Sequence, residues 1–253
     1  IDAVIAHEMA HQWWAHQVVG ANMQGGTMMS ESFAEYSSLM TMKKLDDDPM
    51  KMREFLKYNH ERYLRGRSGE VDKEVPLYKV ENQRHIHYGK GSLVLYALQD
   101  YIGEDSVNKA MRNYLEEFKY AGPPYSTSLD FLRHLEPVVP DSLNYLIDDW
   151  FKEITLYDLR LTQADYNTKP IDGKYELTIK VKAEKIKADT MGTETIVAIN
   201  DWIDIGVLDS DEETLIHQER VFINQPEMTF TMLLDSIPVK AGIDPRRLLI
   251  DRV

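Results

Sequence analysis

KYELTIKVKA (residues 174–183) alternates strictly: Tyr175, Leu177, Ile179 and Val181 are apolar, whereas Glu176, Thr178, Lys180 and Lys182 are polar. Successive side chains of a strand point to opposite faces, so this stretch reads as a strand with one wet face. Toward the C-terminus, ETIVAIN, DWIDIGVL, HQERVFIN and MTFTMLL continue at short spacing, the pattern of antiparallel strands in a small sandwich. Toward the N-terminus the apolar period is helical. SESFAEYSSLMTMKKL (residues 30–45) and PMKMREFLKYNHERYL (residues 49–64) place apolar residues three and four apart. Pro49, after Asp46, Asp47 and Asp48, suits a helix start, because proline is tolerated in the first turn and acids favour the N-terminus. Further helices are expected over 90–102, 105–118, 127–135 and 143–151. The period switches after about Thr155, and TQADYNTKPIDG (residues 162–173), rich in turn formers, is expected to separate the two regimes. The chain therefore reads as multidomain α+β: a mainly helical domain over 1–155 and a small antiparallel β-sandwich over 156–253.

Composition narrows the function. With 253 residues, 43% of them hydrophobic, the chain can build substantial cores. No apolar run approaches the roughly 18 residues needed to cross a bilayer, and no charged-then-apolar leader is visible. The first residue is Ile1 and the helical pattern begins at once, so the N-terminus is expected to be cut from something longer. Cysteine is absent, which excludes disulfides and thiolate ligands without fixing a cellular compartment. Any metal must be held by nitrogen and oxygen. The net charge of -13 argues against a nucleic-acid partner, whose phosphates select clustered Lys and Arg.

The helical part opens on IDAVIAHEMAHQWW (residues 1–14). His7 and His11, four apart, sit one above the other on one helical face, so both imidazoles can reach one ion. Glu8 follows His7 around the helix, placed to act as a general base on water at a metal without filling the coordination site. A catalytic zinc usually takes a third protein ligand and keeps an open position. After the Gly-rich GANMQGGTMM (residues 20–29), which can reverse the chain, the next helix offers Glu31 and Glu35 one turn apart. On geometry alone either carboxylate could be the ligand, with the other orienting an imidazole. A blander role for Glu31 also exists: Ser30 is a good cap, and an acid in the first turn suits the exposed amides.

HEMAHQWWAHQVVG followed by SESFAEY resembles the gluzincin metallopeptidases, specifically the membrane alanyl aminopeptidase family that includes leukotriene A4 hydrolase. The family pattern is HExxH and then a Glu-Gly-Phe-Ala ligand helix. Here 19 residues separate His11 from Glu31, one more than in the family, and Ser32 stands where the family has Gly. Aligning ESFA with that motif implies zinc held by His7, His11 and Glu31, with Glu35 behind the ligands, inside a thermolysin-like helical catalytic domain. The family also places a tyrosine beside the zinc in a Tyr-x-Lys-Gly segment. HIHYGKGSLVLYALQDYIG (residues 85–103) carries it as Tyr88, followed by Lys90 and Gly91, and its phenol would donate to the oxyanion of the tetrahedral intermediate. His85 and His87, two apart, either line the cleft or face solvent.

The resemblance extends into DWIDIGVL, IPVKAGIDP and LLIDR, which are similar to the small β domain that follows the catalytic domain, particularly in bacterial members attached to transporter-like membrane segments. It implies an upstream domain carrying a Gly-x-Met-Glu-Asn segment whose Glu grips the substrate's free amine. The reading is thus a zinc metallopeptidase module acting on peptides with a free N-terminus, with the isolated stretch weak or silent. Two other classes stand beside it. One is a module of a membrane transport-associated protein that keeps zinc for binding or structure, against which intact Glu8 and Tyr88 argue. The other is epoxide or ester hydrolysis on the same scaffold.

Overall fold

The computed structural model describes residues 1–46, 48, 50–170, 172–209 and 214–253. Helices occupy the chain as far as Lys152 and strands follow from Ile154. The helices are α1 (Asp2–Ala10), α2 (Phe33–Asp46), α3 (Met52–Ser68), α4 (Gly91–Ile102), α5 (Glu104–Phe118) and α6 (Ser128–Leu135). Helix α5 shows why the periodic stretches fold this way: Val107, Ala110, Met111 and Tyr114 are buried along one stripe. Thr127 starts α6 through a reciprocal capping box with Asp130, which satisfies two amides that the first turn would otherwise leave open. Helix α4 is buried from Gly91 to Gln99, as befits an apolar helix at the centre of a domain. Phe33, at the start of α2, packs its ring 4.6 Å from Phe131 and 5.1 Å from Trp14, tying α2 to α6.

Several local expectations change. Pro49 and Asp47 lie outside the described residues, and α3 runs from Met52. Ser30 is not a cap, because the helical turn begins at Met28 and takes a π-helical form over Met28–Ser32 before α2. The helix expected over 143–151 is instead a 3₁₀ turn, Asp141–Leu143, and a π-helical segment, Ile147–Lys152. That wider turn buries Ile147, Trp150 and Phe151 while Asp149 reaches the ammonium of Lys185. An apolar period does not register such an ion pair.

The strands are β1 (Ile154–Tyr166), β2 (Tyr175–Ala188), β3 (Glu194–Val197), β4 (Asp201–Leu208), β5 (Leu215–Ile223), β6 (Glu227–Leu234) and β7 (Lys240–Ile243). Strand β2 pairs antiparallel with β1, β3 and β6, and β4 pairs antiparallel with β5 and β7. The result is a mixed α+β fold with two antiparallel sheets. The alternation in β2 is realised, with Leu177, Ile179, Val181 and Ala183 all buried. TQADY does not separate two regimes: it continues β1, where Gln163 to Tyr166 pair with Lys180 to Leu177. The switch falls earlier, at Glu153. Residue 171 of the same stretch lies outside the described residues.

Helices and sheets share one contiguous apolar core. Polar ties cross the junction as well: Lys90 Nζ donates to the Glu153 carbonyl at 2.9 Å, and the Tyr101 hydroxyl to the Trp202 carbonyl at 2.7 Å. No described helix is long and apolar enough to cross a membrane.

Candidate metal centre and active-site cavity

Helix α1 sets His7 and His11 edge to face, with ring centroids 4.8 Å apart. The chain then has to turn back so that α2 can lie against α1. Gly25 makes part of that turn with φ of +88°, and a Cβ there would fall 2.8 Å from Cβ of Ser128, so a side chain is excluded by both torsion and space. The π-helical turn Met28–Ser32 follows. A π turn holds one residue more than an α turn, which gives the additional residue between His11 and Glu31 a physical place. Glu31 thereby faces the histidines.

Its Oε2 lies 3.4 Å from His7 Nε2 and 3.6 Å from His11 Nε2. One ligand atom from each of the three residues falls within 4.8 Å of the others. Zinc with bonds of about 2.0–2.1 Å to nitrogen and oxygen gives tetrahedral edges of roughly 3.4 Å. Glu31 Oε2 is buried with no hydrogen-bond partner, a costly state unless something cationic satisfies it. The donor set and its spacing therefore fit a divalent metal. On the far sides of the rings, His7 Nδ1 is 2.8 Å from Glu35 Oε2 without hydrogen-bond geometry, and His11 Nδ1 is 2.9 Å from the Trp14 carbonyl. Holding Nδ1 of His11 in this way fixes the tautomer that presents its Nε2 lone pair.

Electrostatics agree with that demand for positive charge. The neighbouring carboxylate of Glu31, then that of Glu35, raises His7 to about 9 against the opposing effect of burial. His7 in turn holds Glu31 down to about 2, with a smaller contribution from Tyr88. A metal cation would take the place of the proton that these groups share.

Tyr88 belongs to a second π-helical segment, His85–Lys90, that leads into α4. Its ring centroid is 5.7 Å from that of His7, and burial, followed by Glu31, raises its phenol to about 12. Two contacts fix this segment to the turn that carries Glu31. Ser32 Oγ donates to the His87 carbonyl at 2.7 Å, and a Cβ on Gly91 would meet Ser32 Cβ at 2.6 Å. Lys90 is buried and supports the segment from behind. His7, Glu8, Glu35 and Tyr88 line one cavity of about 530 Å³, together with Arg62 and Arg84.

His85 and His87 separate, and neither lines the cavity. His87 is buried against the Tyr88 ring at 4.3 Å, where burial lowers it to about 4. His85 stacks on Tyr63 and lies 3.8 Å from Glu70. The sequence reading missed Arg62 and Arg84. Arg62 sits in a run of charged residues on α3, and nothing in its spacing distinguishes it from the solvated arginines beside it.

The fold and this site define a helical metallohydrolase-type centre backed by antiparallel sheets. The family model of the peptidase family M1 domain matches residues 1–150, and the chain belongs to that family. Over 98% of its length it is 25% identical to the tricorn protease-interacting factor F2 of Thermoplasma volcanium, covering 32% of that protein. It is 22% identical to the leucyl aminopeptidase of Saccharolobus solfataricus over 86% of its length, covering 27% of that protein. A crystal structure of Legionella pneumophila aminopeptidase A in complex with aspartic acid shares the fold over 99% of this chain and 27% of its own, with a TM-score of 0.55 and 17% identity. The chain thus spans about a third or less of the lengths of these relatives.

Proposed function

We propose that this chain carries the zinc-dependent hydrolytic centre of an aminopeptidase-type metallopeptidase. The observation that carries the reading is the convergence of His7 Nε2, His11 Nε2 and Glu31 Oε2, with His7 lining a cavity shared with Glu8 and Tyr88. A purely structural zinc site would use neither of the last two. In this reading residues 1–155 form a thermolysin-like catalytic domain and residues 156–253 a β-sandwich that supports it. The amine of a peptide with a free N-terminus is gripped by a domain upstream of these residues.

Zinc held by His7, His11 and Glu31 would supply Lewis acidity to the scissile carbonyl and make water acidic enough to ionise near neutral pH. Glu35 orients His7 through Nδ1. Glu8 takes the proton of the attacking water as its oxygen bonds to the carbonyl carbon. The Tyr88 hydroxyl donates to the oxygen on which negative charge then develops. When the C–N bond breaks, Glu8 returns the proton to the leaving amine, so atoms and charge balance.

Metal analysis of the complete protein tests the site. About one zinc per chain is expected in the parent and a marked loss in His7→Ala, with far-ultraviolet circular dichroism retained. Unchanged stoichiometry in His7→Ala would remove the centre as drawn.

A further inference from the structure

The cavity has two chemically different ends. Toward α1 and α2 it is lined by His7, Glu8 and Glu35; toward α3 and the segment that carries Tyr88 it is lined by Arg62 and Arg84. The Arg62 guanidinium lies 4.3 Å from the centroid of the Tyr88 ring, a stacking that uses the face of the group and leaves its edge N–H donors open. Among the described residues, no carboxylate lies within salt-bridge distance of either arginine.

Several other guanidinium groups of this molecule are quenched by carboxylates instead. Arg67 is held by Glu74 and Glu194, and Arg220 and Arg246 are each held by Asp100 and Asp204. With a net charge of -13, carboxylates to quench an arginine are abundant. Two arginines facing the cavity without one leave a cationic end where an anion would be favoured.

We propose that Arg62 and Arg84 form a clamp for a carboxylate of the substrate, so that the site favours peptides bearing an anionic group, an acidic side chain or the C-terminal carboxylate of a short peptide. Planar guanidinium groups pair with a carboxylate through two parallel N–H···O bonds. Because Arg62 also stacks on Tyr88, a carboxylate held there is positioned against the group that meets the reacting carbonyl. The proposal rests on the peptidase reading for its reaction, but binding tests it separately.

Binding is measured by calorimetry on the complete protein in a Glu8→Gln background, with zinc loaded. The ligands are trialanine, the same peptide with a C-terminal amide, and amidated peptides in which one residue at a time is Asp or Glu. The free carboxylate or one acidic position should tighten binding roughly tenfold to a hundredfold, the size of a charge-assisted hydrogen bond in a partly buried site. Arg62→Gln and Arg84→Gln should each remove most of that discrimination. The amide arm separates the C-terminal source from the side-chain source. Equal binding of anionic and neutral peptides, or discrimination that survives both substitutions, overturns the clamp.

Steady-state kinetics on the active protein add a second readout. Loss of the anionic preference in kcat/KM supports the clamp, whereas an equal fall of kcat on every peptide would make Arg62 a positioning residue for Tyr88 alone. Discriminated binding with no hydrolysis of any peptide would leave the clamp standing and defeat the peptidase reading.

Discussion

Helix α4 lies between two clusters of charge that are assembled on different principles. Near its C-terminal end, Asp100 and Asp204 meet Arg220 and Arg246. Arg246 donates to both oxygens of Asp100 at 2.6 and 2.8 Å, and Arg220 donates to both oxygens of Asp204 at 2.7 and 3.0 Å. Cross-bonds from Arg220 to Asp100 and from Arg246 to Asp204 close the set. Two negative and two positive groups balance, and every carboxylate oxygen accepts. Ahead of its N-terminal end, Glu31 and Glu35 lie against His7, and Glu31 also against His11 and Tyr88, with no arginine or lysine paired to either carboxylate among the described residues. A balanced, saturated cluster works as a structural joint between α4 and the sheets. An unbalanced, convergent one fits a centre completed by a cation.

The largest expected effect lies on the unbalanced side. Glu8→Gln in the complete protein should lower kcat by roughly 10²–10⁴-fold, the range for removing a general base, with zinc content and melting temperature nearly unaltered. Near-normal turnover with zinc bound would break the catalytic reading and leave a binding module.

The balanced side should respond in the opposite currency. Asp204 is 1% exposed and also accepts from Gln218 Nε2 at 2.9 Å. Asp204→Ala leaves two guanidinium groups short of a partner and should cost about 3–5 kcal/mol of stability, as expected when one member of a buried charge set is removed. Denaturant unfolding measures that loss, and zinc per folded chain should not change. If zinc were lost from protein that remained folded, the two clusters would not be separable in the way drawn here.

Tyr88→Phe sharpens the contrast within the site. Loss of one oxyanion donor should cost about 3 kcal/mol of transition-state stabilisation, roughly a hundredfold in kcat, with little change in KM. A change in KM alone would assign Tyr88 to substrate binding instead.

The two clusters also differ in how far the sequence displays them. His7, Glu8 and His11 stand within five residues, where helical spacing and residue chemistry can be read together, and Glu31 and Tyr88 follow from motif resemblance. The structure brings His7, His11 and Glu31 together and lines one cavity with Glu8, Glu35 and Tyr88. Between Glu31 and Glu35, spacing alone could not choose; the π turn at Met28–Ser32 that aims Glu31 inward has no periodic signature. Asp100 and Arg220 lie 120 positions apart, and such a partnership has no local pattern. The same holds for Arg62 against Tyr88. In the fold, alternation located β2 because one face of it is wetter, although β4 is buried on both faces, whereas the segment 143–151 misled because Asp149 is buried by a distant lysine rather than by its own periodicity.

The smallest expected effect sits beside the balanced cluster and is read from pH. Asp244 is buried, and its backbone N–H donates to the Asp204 carbonyl at 2.7 Å. Burial raises its carboxyl from the ordinary 3.8 to about 7, aided by Asp204 and Asp251, even though the amides of Leu248 and Leu249 donate to it at 3.0 and 2.8 Å. An acid whose folded pKa lies above its unfolded value binds its proton more tightly when folded. It therefore contributes stability fully present below about pH 4, and that contribution is lost as pH rises toward 7. Asn cannot ionise, and it tolerates the φ of +45° at this position. Its amide nitrogen cannot accept one of the two backbone donors, so Asp244→Asn carries a fixed cost at every pH. The readout is consequently the slope: the melting temperature of Asp244→Asn minus that of the parent should rise between pH 4 and 7 and level off above. A difference that stays flat across that window would show that Asp244 keeps its charge when buried, and that the cluster beside it carries one negative charge in excess of its four core members.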